Sequence, residues 1–246
     1  MKPLVSVVTV AYNSEKTIAA TIESVLEQTY PNVEYFIIDG KSKDKTVELA
    51  ESYRNRFDKK GYIYHIVSEP DQGIYDAMNK GIRLATGDII GLINSDDWYE
   101  PTAVEKTVQT MQRENCDITF GDIILHRSNG GIIRKRAKLG KIETSRYWNH
   151  PTMFVKADVY KAFPFPCIGI HDDYTAYLAM KKAGKKIVTI PHVLAHFKMG
   201  GTSNRRSLKM SLQRIKDRYS CYQYNGYSKW YLFECIIMEA AKFVLG

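Results

Sequence analysis

The sequence predicts an α/β fold with a mostly parallel central sheet covered by helices on both faces. Two observations carry this. Apolar, β-branched runs of strand length alternate with helix-periodic segments through the first hundred residues. Polar and acidic residues then stand just after several of those runs, where a parallel sheet gathers its ligand-binding edge.

Residues 5–10 form the first such run, as expected of a strand buried on both faces. Ser14 is placed to cap a helix in which Ile18, Ile22, Val25 and Leu26 share one face. Residues 33–38 read as a second strand ending at Asp39-Gly40, and Asp44 opens a polar helix through Val47, Leu49, Ala50 and Tyr53. A third strand over 63–67, a helix over 74–85 and a fourth strand over 89–93 complete a βαβαβαβ order. The second half is less regular. It reads as a helix over 102–113, short strands near 118–120, 123–126 and 131–135, a strand over 152–155, a helix over 173–183 and a strand over 187–190. The turn Asn129-Gly130-Gly131 makes a hairpin of the strands beside it. From 207 to 222, Leu208, Leu212, Ile215, Tyr219 and Tyr222 recur at helical spacing on one face. Residues 230–245 are mostly apolar, with Glu234, Glu239 and Lys242 confined to an arc of about 140°. Such a helix can pack internally, lie in a membrane interface or form a dimer seam; internal packing is the first expectation.

At 246 residues, 44% hydrophobic and 25% charged, the chain suits one folded α/β domain with a helical extension, not a disordered protein. Its four cysteines are far apart and form no metal-ligand spacing, which points to a reducing compartment without disulfides or zinc. No secretory leader is expected, and no run reaches the roughly 18–20 apolar residues of a membrane span, so the expected location is the cytoplasm. The net charge is +8, and residues from Lys198 onward carry a surplus of six of those charges. That end is expected to meet an anionic surface such as phospholipid or a lipid-linked diphosphate. A nucleic-acid binder would use the same charge, but no recognisable binding motif accompanies it.

Asp96-Asp97 is the sharpest chemical signal. Two adjacent carboxylates after a buried strand repel unless a cation or a donor neutralises them. A hard divalent ion, Mg²⁺ or Mn²⁺, fits oxygen ligands of this kind and would also bridge a diphosphate. No glycine-rich phosphate loop is present to do that by backbone alone.

The stretches VSVVTVAYNS, IIDGKSKDKT, SEPDQGIYDAMNKGIRLATGD and INSDDWYEP resemble the family 2 glycosyltransferases of the GT-A fold, in particular the group that builds bacterial O-antigens, capsules and exopolysaccharides. His150-Pro151-Thr152-Met153-Phe154 and Met199-Gly200-Gly201-Thr202-Ser203 extend the likeness, which fades beyond Ser203. The resemblance implies a nucleotide-sugar-binding half over 1–100, an acceptor-binding half over 101–203 and a basic, amphipathic extension over 204–246. It implies that Thr9, Tyr12 and Asn13 line the nucleoside pocket and that Asp39 accepts from the base's ring N–H, which favours uracil. Asp71 and the region of Asn79, Lys80 and Gly81 would border the donor. Asn94-Ser95-Asp96 occupies the Asp-x-Asp position, with Asp96 as metal ligand and Asp97 beside it; Asn94 replaces the family's first aspartate.

Inverting transfer needs one carboxylate to deprotonate the attacking hydroxyl. The resemblance places that base at Asp173, with Asp172 as the alternative. His150 would line the acceptor cleft, and His196 is the candidate for a late histidine on the metal or diphosphate. Gly200-Gly201, with Lys198, Arg205 and Arg206, resembles a flap over the phosphates. The implied activity is transfer of a sugar, UDP-linked for preference, to a saccharide acceptor, polyprenyl-diphosphate-linked in this group, at the cytoplasmic face of a membrane. A sugar-nucleotide pyrophosphorylase would share the α/β core, but VTVAYNSEKT lacks that class's glycine-rich, basic signature. A non-catalytic nucleotide binder would lack the acids found here.

Overall fold

The computed structural model describes residues 2–199 and 208–245. Strands β1 (Val5–Ala11), β2 (Val33–Asp39), β3 (Ile63–Ser68) and β4 (Ile89–Asn94) are parallel and lie in the order β3-β2-β1-β4. Along them the side chains alternate between two separate cores. Val5, Val7, Tyr35, Ile37, Ile89 and Ile93 face one, and Val8, Val10, Phe36, Ile38, Ile90 and Leu92 the other. Each aliphatic side chain so buried contributes about 2 kcal/mol, and the two-sided burial explains why these strands are apolar throughout.

Helices α1 (Ile18–Leu26), α2 (Thr46–Ser52) and α3 (Arg54–Lys60) cover the first face, and α4 (Ile74–Leu84) covers the second. The single helix expected from Asp44 breaks in two at Tyr53. At Gly81 a Cβ would collide with Val8, so the glycine lets α4 lie directly on β1. Below the strands' opposite ends the buried Glu34 accepts from Ser6 Oγ (2.6 Å), Thr86 N–H (3.0 Å) and Thr86 Oγ1 (2.9 Å). That carboxylate is a satisfied structural clip, remote from the ligand edge.

The remaining half continues the sheet through β8 (Phe154–Lys156), antiparallel to β4, then β6 (Ile118–His126) and β9 (Ile187–Lys198). The two short strands expected near 118–126 are one strand with a bulge at Gly121–Ile123, and the one expected over 187–190 runs on to Lys198. A two-residue strand β5 (Trp98–Tyr99) pairs with β9, and β7 (Ile132–Lys135) forms the expected hairpin with β6. Helices α5 (Ala103–Glu114), α6 (Ala157–Ala162) and α7 (Asp172–Lys182) pack around this half. The strand expected over 152–155 is β8, displaced slightly along the chain, and a 3₁₀ turn over His150–Thr152 precedes it.

The extension is a helical hairpin, α8 (Leu208–Tyr224) and α9 (Tyr231–Leu245). Its packing departs from the apolar periodicity. On α8, Ser211, Arg214, Cys221 and Tyr222 are buried while Leu212 is 68% exposed. Arg214 Nε donates to Glu239 Oε1 at 2.9 Å, so a buried ion pair joins the two helices. On α9, Cys235 and Glu239 point inward, and Phe233, Ile236 and Ile237 point outward beside Trp230. The expectation of internal packing therefore fails for the apolar face of α9: the acidic stripe is the one that packs. No described helix is long and apolar enough to cross a membrane. Gly200, Gly201, Arg205 and Arg206 lie outside the described residues, as does the end of the expected domain at 203.

Candidate active site

Strands β1, β2 and β4 end level with one another, since Ala11 pairs with Asp39 and Val10 with Asn94. The segments that follow build one wall of an open cleft of about 1480 Å³, carrying Tyr12, Asn13, Asp71, Ser95 and Asp96. Asn13 sits at φ 49°, a left-handed conformation asparagine tolerates. Its N–H donates to Ser42 Oγ (2.8 Å) and its side-chain oxygen accepts from Lys43 N–H (2.9 Å), which locks the loops after β1 and β2 together. Ser14 makes a hydroxyl contact with Ser95 (2.8 Å) and does not cap α1, which begins at Ile18 without a side-chain cap.

Three residues expected on this wall stand behind it. Thr9 is wholly buried and accepts from Tyr35 OH at 3.0 Å, because it belongs to the strand and not to its end. Asp39 is also wholly buried: its carboxylate takes the N–H (2.9 Å) and hydroxyl of Ser42 and the hydroxyl of Ser68 (2.6 Å). It clips the loop after β2 and does not line the cleft. Its neighbour Gly40 does approach the site, for a Cβ there would meet Asp71 and Tyr12. Lys80 is turned to Pro70 O (2.6 Å) and Glu69 (3.1 Å), tying down the loop that bears Asp71 without reaching the cleft. Asn79 likewise is structural, accepting from Phe165 N–H and donating to Phe165 O.

Of the adjacent acids, only Asp96 lines the cleft. The residue is exposed, yet the cleft walls shield its carboxyl and push its pKa up, with Lys198 partly offsetting this. Asp97 is fully buried beneath β9, accepting from Lys198 N–H at 3.1 Å through one oxygen while the other has no partner. Burial, reinforced by Asp96, pushes its pKa well up, so it is a core residue where a ligand was expected. His196 is also committed elsewhere. One ring nitrogen meets His126 (2.9 Å), the other Glu100 (2.6 Å), and the ring stacks on Trp98. Neither nitrogen is left for a metal. Among the described residues no cluster of three or more acidic, histidine or cysteine side chains could hold an ion. The residues fit a more modest site: a magnesium-like ion takes one or two carboxylates and completes its shell with water and substrate phosphate oxygens, and Asp96 can supply the one carboxylate.

The second acidic centre borders a smaller cavity of about 350 Å³ that shares Leu125, Lys135, Ser145, Phe197 and Arg218 with the cleft. Asp173 stands there at the start of α7, and its Oδ1 accepts from Tyr75 OH (3.1 Å) and Tyr174 N–H (2.8 Å). Its Oδ2 faces His150 Nδ1 at 3.3 Å. Burial lowers the His150 pKa against the pull of Asp173, which keeps the imidazole neutral. Burial and the Asp173 charge push the Tyr75 pKa far up, so its hydroxyl remains a donor. Asp172, the alternative base, is buried and accepts from Ile168 N–H at 2.7 Å; it holds the loop before α7. Asp39, Asp96 and Asp173 thus do not share one pocket: Asp96 and Asp173 border two joined cavities, and Asp39 lies behind the first.

Two contributors here carry no sequence signal of their own. Tyr75 lies inside the GIYDAMNKG stretch, and Lys135 belongs to a basic run, Arg134-Lys135-Arg136 with Lys138, that resembles an ordinary solvated hairpin edge.

The sequence pattern of "Glycosyl transferase family 2" matches residues 6–178. A Haemophilus influenzae protein named only as an uncharacterized glycosyltransferase is 26% identical over 93% of this chain and 98% of its own. The Bacillus subtilis glycosyltransferase TuaG, named for teichuronic acid biosynthesis, is 32% identical over 54% of this chain and 52% of its own length. Among solved structures, Staphylococcus aureus TarS bound to UDP-GlcNAc superposes with a TM-score of 0.69 at 19% identity, over 90% of this chain and 65% of that one. The mannosyltransferase PcManGT of Pyrobaculum calidifontis, in complex with GDP-Man and Mn²⁺, gives 0.70 at 15% identity over all of this chain and 75% of that one. At such identities the structures establish the GT-A architecture alone, and the sequence match establishes more: the chain belongs to glycosyl transferase family 2.

Proposed function

We propose that the protein transfers a sugar from a nucleotide-sugar, UDP-linked for preference, to a hydroxyl of a saccharide acceptor with inversion at the anomeric carbon. The observation that carries this is the juxtaposition of the cleft bearing Asp96 with the cavity bearing Asp173, through common walls. Tyr12 and Asn13 offer a rim for the nucleoside, and Asp71 and Ser95 flank the donor sugar and phosphates. A divalent ion held by Asp96 would neutralise the departing diphosphate.

Asp173 takes the proton of the acceptor hydroxyl as that oxygen attacks the anomeric carbon. The bond to the diphosphate breaks, and its electron pair leaves with the nucleotide. Tyr75 holds the carboxylate through its hydroxyl, and His150, kept neutral by burial, faces the other oxygen. The acceptor in this reading is a lipid-linked saccharide, as in surface-polysaccharide assembly, a role in keeping with the name of TuaG. The outward apolar face of α9 would rest on the membrane that holds it, at the cytoplasmic side. Asp173→Asn tests the core of the proposal. Turnover should fall by about 10³-fold while UDP affinity, measured by calorimetry, stays unchanged; normal turnover would refute it.

A further inference from the structure

Two cations occupy the seam between the cleft and the base's cavity. Lys135, at the end of β7, and Arg218, on α8, line both spaces. Lys135 Nζ donates to the carbonyls of Trp148 (2.8 Å) and Ser145 (3.4 Å). Among the described residues neither cation has an ion-pair partner, although their neighbours do: Arg134 is matched by Asp122 and Arg214 by Glu239. Burial lowers the Lys135 pKa to about 8, and the nearby charge of Arg218 acts in the same direction. A desolvated cation beside a second cation is an unfavourable arrangement that a bound anion would relieve.

The surroundings indicate which anion. Arg136, Lys138 and Arg146 extend the positive wall along the cleft, while Asp71 and Asp96 stand among the residues that line its other part. Five positive groups exceed what a single carboxylate needs and suit the charge of a phosphate ester or diphosphate. Of the five, only Lys135 and Arg218 also border the cavity of Asp173, which Asp96 does not line, so an anion held by these two sits at the junction with the base's cavity, on the acceptor side of Asp96.

We propose that Lys135 and Arg218 form a phosphoryl-binding subsite for an acceptor that carries a phosphate or diphosphate beside the sugar to be extended. The proposal deepens the transferase reading and rests on Asp173 marking the acceptor side. Calorimetric titration of the full chain with inorganic diphosphate and with geranyl diphosphate, UDP held at saturation, tests it. Both should bind the wild type, and Arg218→Gln should weaken both by about tenfold while leaving UDP affinity unchanged. Lys135→Met should act the same way. Arg218→Gln carries the decision if loss of the Trp148 and Ser145 contacts unfolds Lys135→Met.

Tighter binding of geranyl diphosphate than of inorganic diphosphate assigns the group to a lipid carrier, and equal binding to a soluble sugar phosphate; either supports the subsite. Competition of diphosphate with UDP alone, wild-type affinity in Arg218→Gln, or tighter binding of glucuronate than of diphosphate would overturn it. The two readings fail separately. Normal turnover in Asp173→Asn with an Arg218-dependent diphosphate site would remove the base and leave the subsite standing.

Discussion

The wall of the cleft that bears Asp96 and the adjoining wall around Asp173 are built in contrasting ways. On the first, Tyr12, Asn13, Asp71, Ser95 and Asp96 each follow a parallel strand by at most a few positions, and hydrogen bonds between neighbouring loops, Asn13 with Lys43 and Ser14 with Ser95, fix it. On the second, Asp173 is held by Tyr75, 98 residues away, and Lys135 of a hairpin lines the same space as Arg218 of α8. The first wall is a property of strand ends; the second is a property of tertiary packing. A fold of this construction can therefore keep the wall made of strand ends while the wall made by packing is rebuilt.

The contrast can be broken or sharpened by substitution. The largest difference should separate Asp173→Asn from Asp96→Asn. The former removes turnover at constant UDP affinity, whereas the latter should weaken metal-dependent UDP binding by about 10²-fold. Calorimetry with and without Mn²⁺ distinguishes them, and equal binding losses in both variants would merge the two walls into one site. Tyr75→Phe should lower kcat by about tenfold with little change in KM for the donor. An unchanged kcat would make Tyr75 a packing residue only.

Asp97→Asn should act on stability alone. Because the folded state raises this pKa well above that of the unfolded chain, the unfolded state binds fewer protons between the two values. Wild-type stability accordingly declines as pH rises from the unfolded pKa toward the folded one. The asparagine variant should be more stable near neutrality by about 1 kcal/mol, with a flatter dependence of Tm on pH above the unfolded carboxyl value. Parallel curves for the two proteins would contradict the burial argument, and loss of metal response would return Asp97 to the ligand set.

Legibility followed the same division. The strands and crossover helices of the first hundred residues could be read because their burial is two-sided and their turns are local. Tyr12, Asn13, Asp71, Ser95 and Asp96 were recoverable from position alone. Thr9, Asp39 and Lys80 were not distinguishable from them in sequence, since whether a strand-end side chain faces ligand or core depends on where the strand stops and on partners such as Tyr35, Ser68 and Glu69. The sequence of β9 predicts only four strand residues because Pro191 and the polar Thr189 and His192 interrupt the apolar pattern, yet pairing with β6 and β5 extends the strand to twelve. His196 looked like a ligand for the reason histidines usually do, and only the neighbouring His126, Glu100 and Trp98 show that its ring is already spoken for.

The inverted hairpin of α8 and α9 has a mechanical consequence. Arg214 and Glu239, together with the stacked Tyr222 and Tyr231, tie its helices on the inner side, while Phe233, Ile236 and Ile237 stay exposed on the outer one. Those outer side chains can exchange water for hydrocarbon without any helix turning, separating or refolding. Adhesion of this face to the proposed membrane would therefore be uncoupled from the fold, and an enzyme so built could leave one acceptor and reach the next in the conformation it already has.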